Sequence, residues 1–557
     1  MSEHRNGLLG WLAEPDPAHG IHFAVPRGEW DYWTYPRLAE LARQVGAGLV
    51  AAGVEPGDVV SLVQRGGPHF VATLFGAMLV GATPSPIAPP QTFSDRDAYA
   101  GHIVGLVRTA RPKVVVTDEA LAPTIAALVA PATVLATETL LAAGEASASP
   151  PNRDAPALLQ FTSGSSGLAR GVRIGFPALA ANVAAIRGWL AMTPEDTTAS
   201  WLPMHHDMGL IGCLITPVSI GGELWLLPPE EFIRNPLRYL RCFDAGGAVL
   251  TSMPNFGLGY VARRVRDEAL DGLDFSAWRA IIVGAERIDP VVLERFHALL
   301  GPHGLHKRAL LPAYGLAEGT LAVTGLPLAE EWTSTSLRAG TVPLGGAVEL
   351  ADPGQDGQDV SGCGRPLTGI EVAIHDEQGQ PLPEGRIGEI VVGGACVASD
   401  YVSAGESTSL TALTDGAVHT ADVGFLDDGQ LFVLGRLGDS VKLRGRALFA
   451  EDLELAICQT GVPALRMAAV LGYQGNTATV VAVFEAPEPA WLAAADGLLR
   501  RRTEGADVVL VDAPRRSIPR TSSGKPRRRA LWQAFVEQRL PGIVRTGADI
   551  STGGSDE

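Results

Sequence analysis

Helical and strand-like spacings of apolar residues alternate along the first part of the chain. Five apolar residues recur at intervals of three or four and predict a helix that ends at Gly53: Leu38, Leu41, Ala42, Val45 and Leu49. Continuous apolar runs at Val59–Val63 and 113–117 predict buried strands, and residues 69–80 predict a second helix. Strands that alternate with helices predict an α/β fold, with helices on the faces of a sheet.

This alternation continues beyond a glycine-rich stretch near residue 165. Residues 157–161 predict a strand that enters the stretch, and residues 179–190 predict a helix after it. Three further strands are predicted at 223–227, 248–251 and 279–283.

The last 230 or so residues follow a different pattern. From 330 to 364 the chain is polar and rich in glycine, and loops of this length inside a domain are usually functional or disordered. Residues 371–374 and 387–392 predict paired strands, and a final unit is predicted from about Asp439 to Arg539. We expect the polar tail, 541–557, to be disordered.

Composition and charge exclude several classes of protein. A chain of 557 residues predicts two to four structural units, and 46% hydrophobic residues are typical of globular proteins. A formal charge of −17 argues against a nucleic-acid partner. Five scattered cysteines favour a reducing compartment, and the most apolar window, 208–227, is interrupted by Pro217 and Glu223. We therefore expect a cytoplasmic protein with no membrane span.

The glycine-rich stretch itself suggests an anion site. Six residues with hydroxyl or no side chains follow the predicted strand: Thr162, Ser163, Gly164, Ser165, Ser166 and Gly167. Such a loop can wrap an anion with its backbone N–H groups, and Arg170 can add a charge. A plain surface turn is the alternative, because the loop has neither the dinucleotide fingerprint nor the P-loop lysine.

Six further motifs accompany this loop. They are Trp-Leu-Pro-Met-His-His-Asp-Met-Gly-Leu (201–210), Gly-Ala-Glu (284–286), Tyr-Gly-Leu-Ala-Glu (314–318), His-Thr-Ala-Asp-Val-Gly (419–424), Gly-Arg-Leu-Gly-Asp (435–439) and Pro-Arg-Thr-Ser-Ser-Gly-Lys (519–525). In this order and spacing they closely resemble the adenylate-forming superfamily of acyl-CoA synthetases, peptide-synthetase adenylation domains and luciferases. The resemblance covers residues 30–535 and is greatest to fatty acyl-AMP ligases, because of His-Asp-Met-Gly-Leu, residues 252–256 and the extra segment before residue 360.

The resemblance implies an enzyme that uses ATP and Mg²⁺ to convert a carboxylic acid into an acyl-adenylate, with release of pyrophosphate. It places the glycine loop at the β- and γ-phosphates and Glu318 at the metal, as catalytic residue and ligand. It places the nucleotide among Gly284, Ala285, Glu286, Tyr314, Gly315, Asp422 and Arg436, with Tyr314 on adenine and Asp422 on the ribose. Each residue has a structural alternative, such as a core aromatic for Tyr314 or a turn residue for Asp422.

Two more catalytic residues follow from the resemblance. Lys525 would bridge the acyl carboxylate and the α-phosphate, although a basic surface tail is the alternative, given the arginines around it. His206 would lie between the acyl pocket and the phosphates and orient the carboxylate, although it could instead hold the start of a helix.

The resemblance also implies a division of the chain. Residues 1–435 would form a large domain of mixed sheets with a β-subdomain, and 440–540 a small mobile α+β lid. A hinge at 436–439 would join the two, with Asp439 as the hinge residue. Residues 330–364 would be the insertion that hinders use of coenzyme A in fatty acyl-AMP ligases, so that the acyl group passes to an acyl carrier protein. An acyl-CoA ligase that tolerates the insertion, a ligase for an unusual acid or anion, and a degenerate nucleotide-binding scaffold remain alternatives.

The acid itself is the open question. Met253 and Val283 replace residues that are usually smaller or polar in the resembling family, and we expect both, with His206, to border the acyl pocket. A bulkier wall favours an acid shorter than a long-chain fatty acid.

Overall fold

The computed structural model describes residues 2–90, 96–142, 156–162, 170–338, 344–352, 357–403, 405, 409–414, 416–443, 446–474, 477–503, 506–521 and 524–545. Up to the glycine loop, the elements are α1 (Ser2–Ala13), β1 (Gly20–Ala24), β2 (Trp30–Thr34), α2 (Tyr35–Ala51), β3 (Val59–Val63), α3 (Pro68–Leu79), β4 (Thr83–Pro86), α4 (Arg96–Ala110), β5 (Val114–Thr117), α5 (Ala122–Val129), β6 (Val134–Ala136), α6 (Thr137–Leu141) and β7 (Leu158–Phe161).

The central part of the chain contains β8 (Gly171–Ile174), α7 (Phe176–Trp189), β9 (Thr198–Ser200), a π-helix (Met208–Ile215), α8 (Thr216–Val218), β10 (Leu224–Leu226), α9 (Pro229–Arg234), α10 (Pro236–Leu240), β11 (Leu250–Pro254), α11 (Asn255–Arg264), β12 (Ala280–Gly284), α12 (Pro290–Leu300), β13 (Leu310–Gly315) and β14 (Ala322–Gly325).

Mostly strands follow: β15 (Ser334–Arg338), β16 (Gly357–Ser361), β17 (Arg365–Pro366), β18 (Ile370–His375), β19 (Pro381–Leu382), β20 (Gly388–Gly394), β21 (Asp400–Val402), β22 (Ala412–Thr414), β23 (Ala417–Asp427) and β24 (Gln430–Arg436). Residues 440–545, which we call the C-terminal unit, contain β25 (Ser440–Leu443), β26 (Arg446–Phe449), α13 (Ala450–Gln459), β27 (Met467–Gln474), β28 (Thr477–Glu485), α14 (Pro489–Arg502), β29 (Asp507–Ala513), α15 (Arg528–Val536) and β30 (Ile543–Arg545).

The α/β class predicted from the apolar spacing is confirmed. A nine-stranded sheet has the order β17-β14-β13-β12-β11-β9-β10-β1-β2, and its six strands from β13 to β1 run parallel. A second, wholly parallel sheet has the order β4-β3-β5-β6. The predicted helix after residue 35 ends at Ala51, and Gly53 has the positive φ of +81° that lets the chain turn there.

The predicted hairpin strands near 371 and 387 are also confirmed, because β18 and β20 pair antiparallel. They belong to a six-stranded sheet that also contains β23 and β24. The C-terminal unit has its own four-stranded sheet, β27-β28-β29-β30. Among the residues that the structure describes, no helix combines the length and the apolar character needed to cross a bilayer.

Two expectations need correction. The segment 330–364, expected as a long polar loop, contains a regular hairpin in which β15 and β16 pair antiparallel over five residues. Burial of Leu337 and Val360 against neighbouring strands stabilises this hairpin. The tail was expected to be disordered from 541, but β30 pairs with β29. Residues 546–557 lie outside the described part of the chain.

Candidate active site

Apart from Met253 and Val283, the predicted site residues that the structure describes gather where parallel strands of the large sheet end. A cavity of about 1610 Å³ opens there, between these strand ends, β23, β24 and the C-terminal unit. Ligands of open α/β sheets commonly bind at the carboxyl ends of the strands. The motifs therefore converge because β9, β11, β12 and β13 run in the same direction and each is followed by a motif.

Tyr314, Asp422 and Arg436 form one polar group in this cavity. The Tyr314 hydroxyl donates to Asp422 Oδ2 at 2.6 Å, and Arg436 Nε lies 3.3 Å from Asp422 Oδ1. Burial and then the charge of Asp422 raise the pKa of Tyr314 well above its usual value, so its hydroxyl remains a donor. Asp422 has the position and the acceptor capacity to take hydrogen bonds from sugar hydroxyls.

Backbone strain marks two of the site loops. Ala285 has φ +67° and Ala421 has φ +58°, and alanine in this left-handed region costs roughly 1–3 kcal/mol. Each lies directly before a buried or half-buried carboxylate, Glu286 or Asp422. Glu286 accepts from the Phe256 N–H at 2.6 Å, so it holds the first turn of α11.

Close backbone contact explains the two glycines of the predicted nucleotide set. A Cβ on Gly315 would lie 1.9 Å from the Leu321 carbonyl oxygen, and one on Gly284 would lie 3.1 Å from the Ala313 oxygen. Any side chain at 315 would therefore displace the strand end that carries Tyr314.

Glu318 is buried beside a cation and a phenol. Tyr401 donates to Glu318 Oε1 at 3.0 Å, and Arg170 Nη2 lies 3.7 Å from the same oxygen. Burial raises the pKa of Glu318. Arg170 is itself held by the Thr411 carbonyl at 3.0 Å and lies over the Tyr401 ring, so it supports Glu318 and does not extend freely toward a ligand.

The donor set fits Mg²⁺ only together with a substrate. Glu318 engages its Oε1 as described, which leaves Oε2 for a cation. Within the described residues, no three carboxylate, imidazole or thiol groups converge to hold a metal. Mg²⁺ is commonly held by one or two carboxylates plus substrate phosphates.

Only the ends of the glycine loop can be placed. Thr162 lines the cavity, and its N–H donates to the Arg170 carbonyl at 3.0 Å, which closes the loop at its base. Ser163, Gly164, Ser165, Ser166 and Gly167 lie outside the described residues. The assignment of these residues to phosphate binding therefore stays a prediction.

His206 lies in the cavity beside a carboxylate that the sequence reading overlooked. Its Nδ1 is 2.8 Å from Asp207 Oδ1, and Asp207 also accepts from the Met208 N–H at 2.7 Å. Asp207, and not His206, therefore holds the start of the helix. Burial acts to raise the pKa of Asp207, but His206, the Met208 N–H and Lys525 together lower it. The helix that follows is a π-helix, a rare form that is frequent at functional sites.

Lys525 enters the cavity from the C-terminal unit. Gly524, at φ +84°, turns the backbone, and the Lys525 N–H donates to Thr521 Oγ1 at 3.1 Å. Lys525 lines the cavity, and its charge interacts with the charges of Glu286, Asp207 and Asp422. Lys525 is therefore close enough to these three carboxylates for their charges to interact with its own.

A second cation of the same segment was missed. Arg528 donates to Asp439 at 2.9 Å, to Glu451 at 2.8 Å and to Glu454 at 2.6 Å. It therefore ties the segment after Lys525 to the predicted hinge residue and to α13. The sequence places it in a run of three arginines, 527–529, a pattern that does not distinguish a buried arginine from a surface one.

The role that the resemblance implies for Lys525 predicts an alkaline limb in the pH profile of adenylate formation. Burial and then the charge of Arg436 lower the pKa of Lys525 from 10.5, so the protonated form is lost at a lower pH than in free lysine. We expect the rate of pyrophosphate release to fall as pH rises through this lowered pKa. In Lys525→Arg the limb should move to higher pH, because a guanidinium stays protonated. An alkaline limb that is the same in both proteins would contradict the assignment.

The two wall residues inferred from sequence were placed wrongly. Met253 and Val283 are fully buried in the core between the large sheet and its helices, and neither lines the cavity. Since successive side chains of a strand point to opposite faces, their neighbours Ser252 and Ile282 line it instead. The sequence therefore located the two strands correctly, but it did not show which face of each strand lines the cavity.

Comparisons with known proteins show which family this chain resembles in sequence and fold. The family described as AMP-binding enzyme matches residues 16–402. The chain is 31% identical over 533 residues to a putative acyl-CoA synthetase of Caulobacter vibrioides, covering 93% of each protein. It is 29% identical over 570 aligned positions to the medium-chain-fatty-acid–acyl-carrier-protein ligase JamA of Moorena producens, covering 96% of this chain and 95% of that protein. A solved structure from work on fatty acyl-adenylate ligases of E. coli and L. pneumophila superposes with a TM-score of 0.87 at 26% identity, covering 96% of this chain and 98% of the other.

Proposed function

The chain belongs to the family of AMP-binding enzymes and is an AMP-forming acid ligase of the fatty acyl-AMP ligase type, and we propose that it passes its activated acyl group to an acyl carrier protein. The observation that supports the activating step most is the position of Lys525. A lysine from the C-terminal unit shares one cavity with Asp422, Glu286 and the His206–Asp207 pair.

The proposed reaction begins when a carboxylate oxygen of the acid attacks the α-phosphorus of ATP and pyrophosphate leaves. Little covalent chemistry falls to the protein, so positioning and electrostatic stabilisation account for most of the catalysis. Lys525 would stabilise negative charge shared by the acid and the α-phosphate. His206, fixed by Asp207, would orient the acid. Mg²⁺, held by Glu318 and the phosphates, would neutralise phosphate charge.

Contacts of the hairpin β15–β16 support a carrier protein as the acceptor. Leu337 and Val360 share an apolar cluster with Phe449 of the C-terminal unit. Gln358 donates to Asp452 of α13, a buried carboxylate that also pairs with Arg287 of the large domain. The hairpin thus contacts both the large domain and the C-terminal unit. A carrier protein can be positioned by a protein interface, whereas a free thiol cofactor has no such interface to position it.

An acyl-CoA ligase is the second candidate. It is favoured by the relative from Caulobacter vibrioides, which is named a putative acyl-CoA synthetase, whereas JamA is named an acyl-carrier-protein ligase. Both candidates share the activating step, so only the acceptor separates them.

The activating step is tested by acid-dependent exchange of pyrophosphate into ATP. A panel of acids of increasing chain length, with and without polar substituents, should reveal at least one that supports exchange. If the protein is folded and binds ATP but none of the acids supports exchange, the proposal fails and a nucleotide-binding scaffold becomes the better account.

Restricting the predicted hinge should separate the two half-reactions. Asp439 lies in a short helical turn, Leu437–Asp439, between β24 and the C-terminal unit. Asp439→Pro fixes φ and should hold one orientation of the unit, so adenylation and acyl transfer should change unequally, by about tenfold or more.

Loss of the ion pair with Arg528 must be separated from this effect. Asp439→Asn removes the charge without fixing φ, and it is the matched control. Single-turnover rates of both half-reactions would be measured for each variant. Equal losses in both steps for Asp439→Pro would argue against a hinge at this position.

A further inference from the structure

Part of the cavity extends between α7 and the large sheet, and we call it the acyl branch. Most of its wall is apolar and comes from Ile186, Trp189, Leu190, Leu250, Ile282 and Leu321. It begins at the carboxyl ends of the strands, near His206, and runs toward the start of β9 and β11. An apolar wall of this kind suits the chain of an acid.

One wall residue of the acyl branch has a hydroxyl that lacks a partner. Thr198, on β9, is only 3% exposed, and it lines the cavity. Its backbone N–H donates to Glu223, but among the described residues its Oγ1 has no hydrogen-bond partner. Buried polar groups are nearly always hydrogen-bonded, so an unpaired hydroxyl on the wall of a ligand cavity is available to a partner from the ligand.

Two further polar groups lie along the same wall. Ser252 and Cys213 both line the cavity, and the Cys213 thiol is hydrogen-bonded to Ser252 and Ser200. Burial raises the pKa of this thiol, so it is neutral. The parallel register of Thr198 with Leu250 places Ser200 beside Ser252, and Thr198 lies two residues, about 7 Å, further from the carboxyl ends of the strands.

We infer that the acid carries an oxygen substituent on its chain, a hydroxyl or an oxo group, which hydrogen-bonds to Thr198 Oγ1 and makes Thr198 a specificity-determining residue. This inference rests on the proposed acid activation and adds the class of acid. Cys213 and Ser252 already have each other as hydrogen-bond partners, whereas the Thr198 hydroxyl, deeper in the acyl branch, is available to hydrogen-bond the substrate. A plain alkyl chain would bury that hydroxyl without a partner, which is unfavourable.

The test compares acids that differ only in this oxygen. Acids of one chain length, unsubstituted, hydroxylated or oxidised to the ketone at successive carbons, would be assayed by pyrophosphate exchange. For the wild type, kcat/KM should be about tenfold or more higher for an acid oxygenated at one position than for the plain acid. The hydroxy and oxo series distinguish the two forms of the oxygen.

Variants of Thr198 connect this preference to the residue. Thr198→Val keeps the shape and removes the hydroxyl, so the preference should shrink toward one, while the KM for ATP stays unchanged. Thr198→Ser retains a hydroxyl and should retain the preference. Thermal unfolding of each variant would show that the fold is kept.

Three results would overturn the inference. The wild type could use plain acids as well as oxygenated ones. The preference could survive in Thr198→Val, which would mean that a group other than the Thr198 hydroxyl recognises the oxygen of the acid. If no acid of any kind supports exchange, the proposed function fails as well, whereas good exchange with plain acids alone rejects only the oxygen substituent.

Discussion

Lys525→Ala should slow adenylate formation by about two to three orders of magnitude. Removing one preorganised charge from a site where negative charge develops typically costs about 3–4 kcal/mol. Lys525 is the cation that the C-terminal unit places among Asp207, Glu286 and Asp422. ATP binding should remain largely intact, because Asp422, Tyr314 and Arg436 belong to other elements.

The measurement is acid-dependent pyrophosphate release in a single turnover, with ATP binding followed separately. Lys113→Ala is the matched control, since Lys113 is exposed at the start of β5 and does not line the cavity. Near-normal pyrophosphate release by Lys525→Ala would remove Lys525 from the mechanism.

Shortening the hairpin should increase acyl-CoA formation and leave adenylation unchanged. Residues 334–357 would be replaced by a brief Gly/Ser turn, which keeps Trp332, a residue only 7% exposed and packed in the core of the large domain. The change removes Leu337, which shares an apolar cluster with Phe449 of the C-terminal unit. Burial of such a side chain contributes about 1.5–3 kcal/mol to the free energy of folding. If even ~1.4 kcal/mol of this restrains the C-terminal unit, acyl-CoA yield should rise about tenfold.

Leu350→Ala is the control within the same segment, because this side chain is 59% exposed. It should change neither adenylation nor acceptor choice. If the shortened protein forms no more acyl-CoA than the wild type, while it adenylates normally, the hairpin does not select the acceptor.

The fold was predictable from sequence where local spacing determines it. Val59–Val63 forms a strand with the predicted limits, because a short valine-rich segment buries on both faces of a parallel sheet. The hairpin at 334–361 was not predictable as regular structure. Each of its strands has a single apolar residue among polar ones, and those two residues are buried by contacts with β23, β24 and the C-terminal unit, which are distant in sequence.

The candidate site was predictable as far as its motifs reach. Tyr314, Asp422 and Lys525 enter one cavity, as their motifs implied. The supporting residues were missed because their partners are far away in sequence: Tyr401 contacts Glu318, 83 residues away, and Arg528 contacts Asp439, 89 residues away. Asp207 could have been found, since a carboxylate directly before an apolar helical run is a typical cap.

The acceptor of the acyl group tests the whole account most directly. The wild-type enzyme would receive ATP, Mg²⁺, an acid that it activates, and coenzyme A together with an acyl carrier protein bearing its phosphopantetheine arm. We predict AMP release coupled to acylation of the carrier protein, with little acyl-CoA. Formation of acyl-CoA as fast as adenylate would contradict the account and identify the protein as an acyl-CoA ligase.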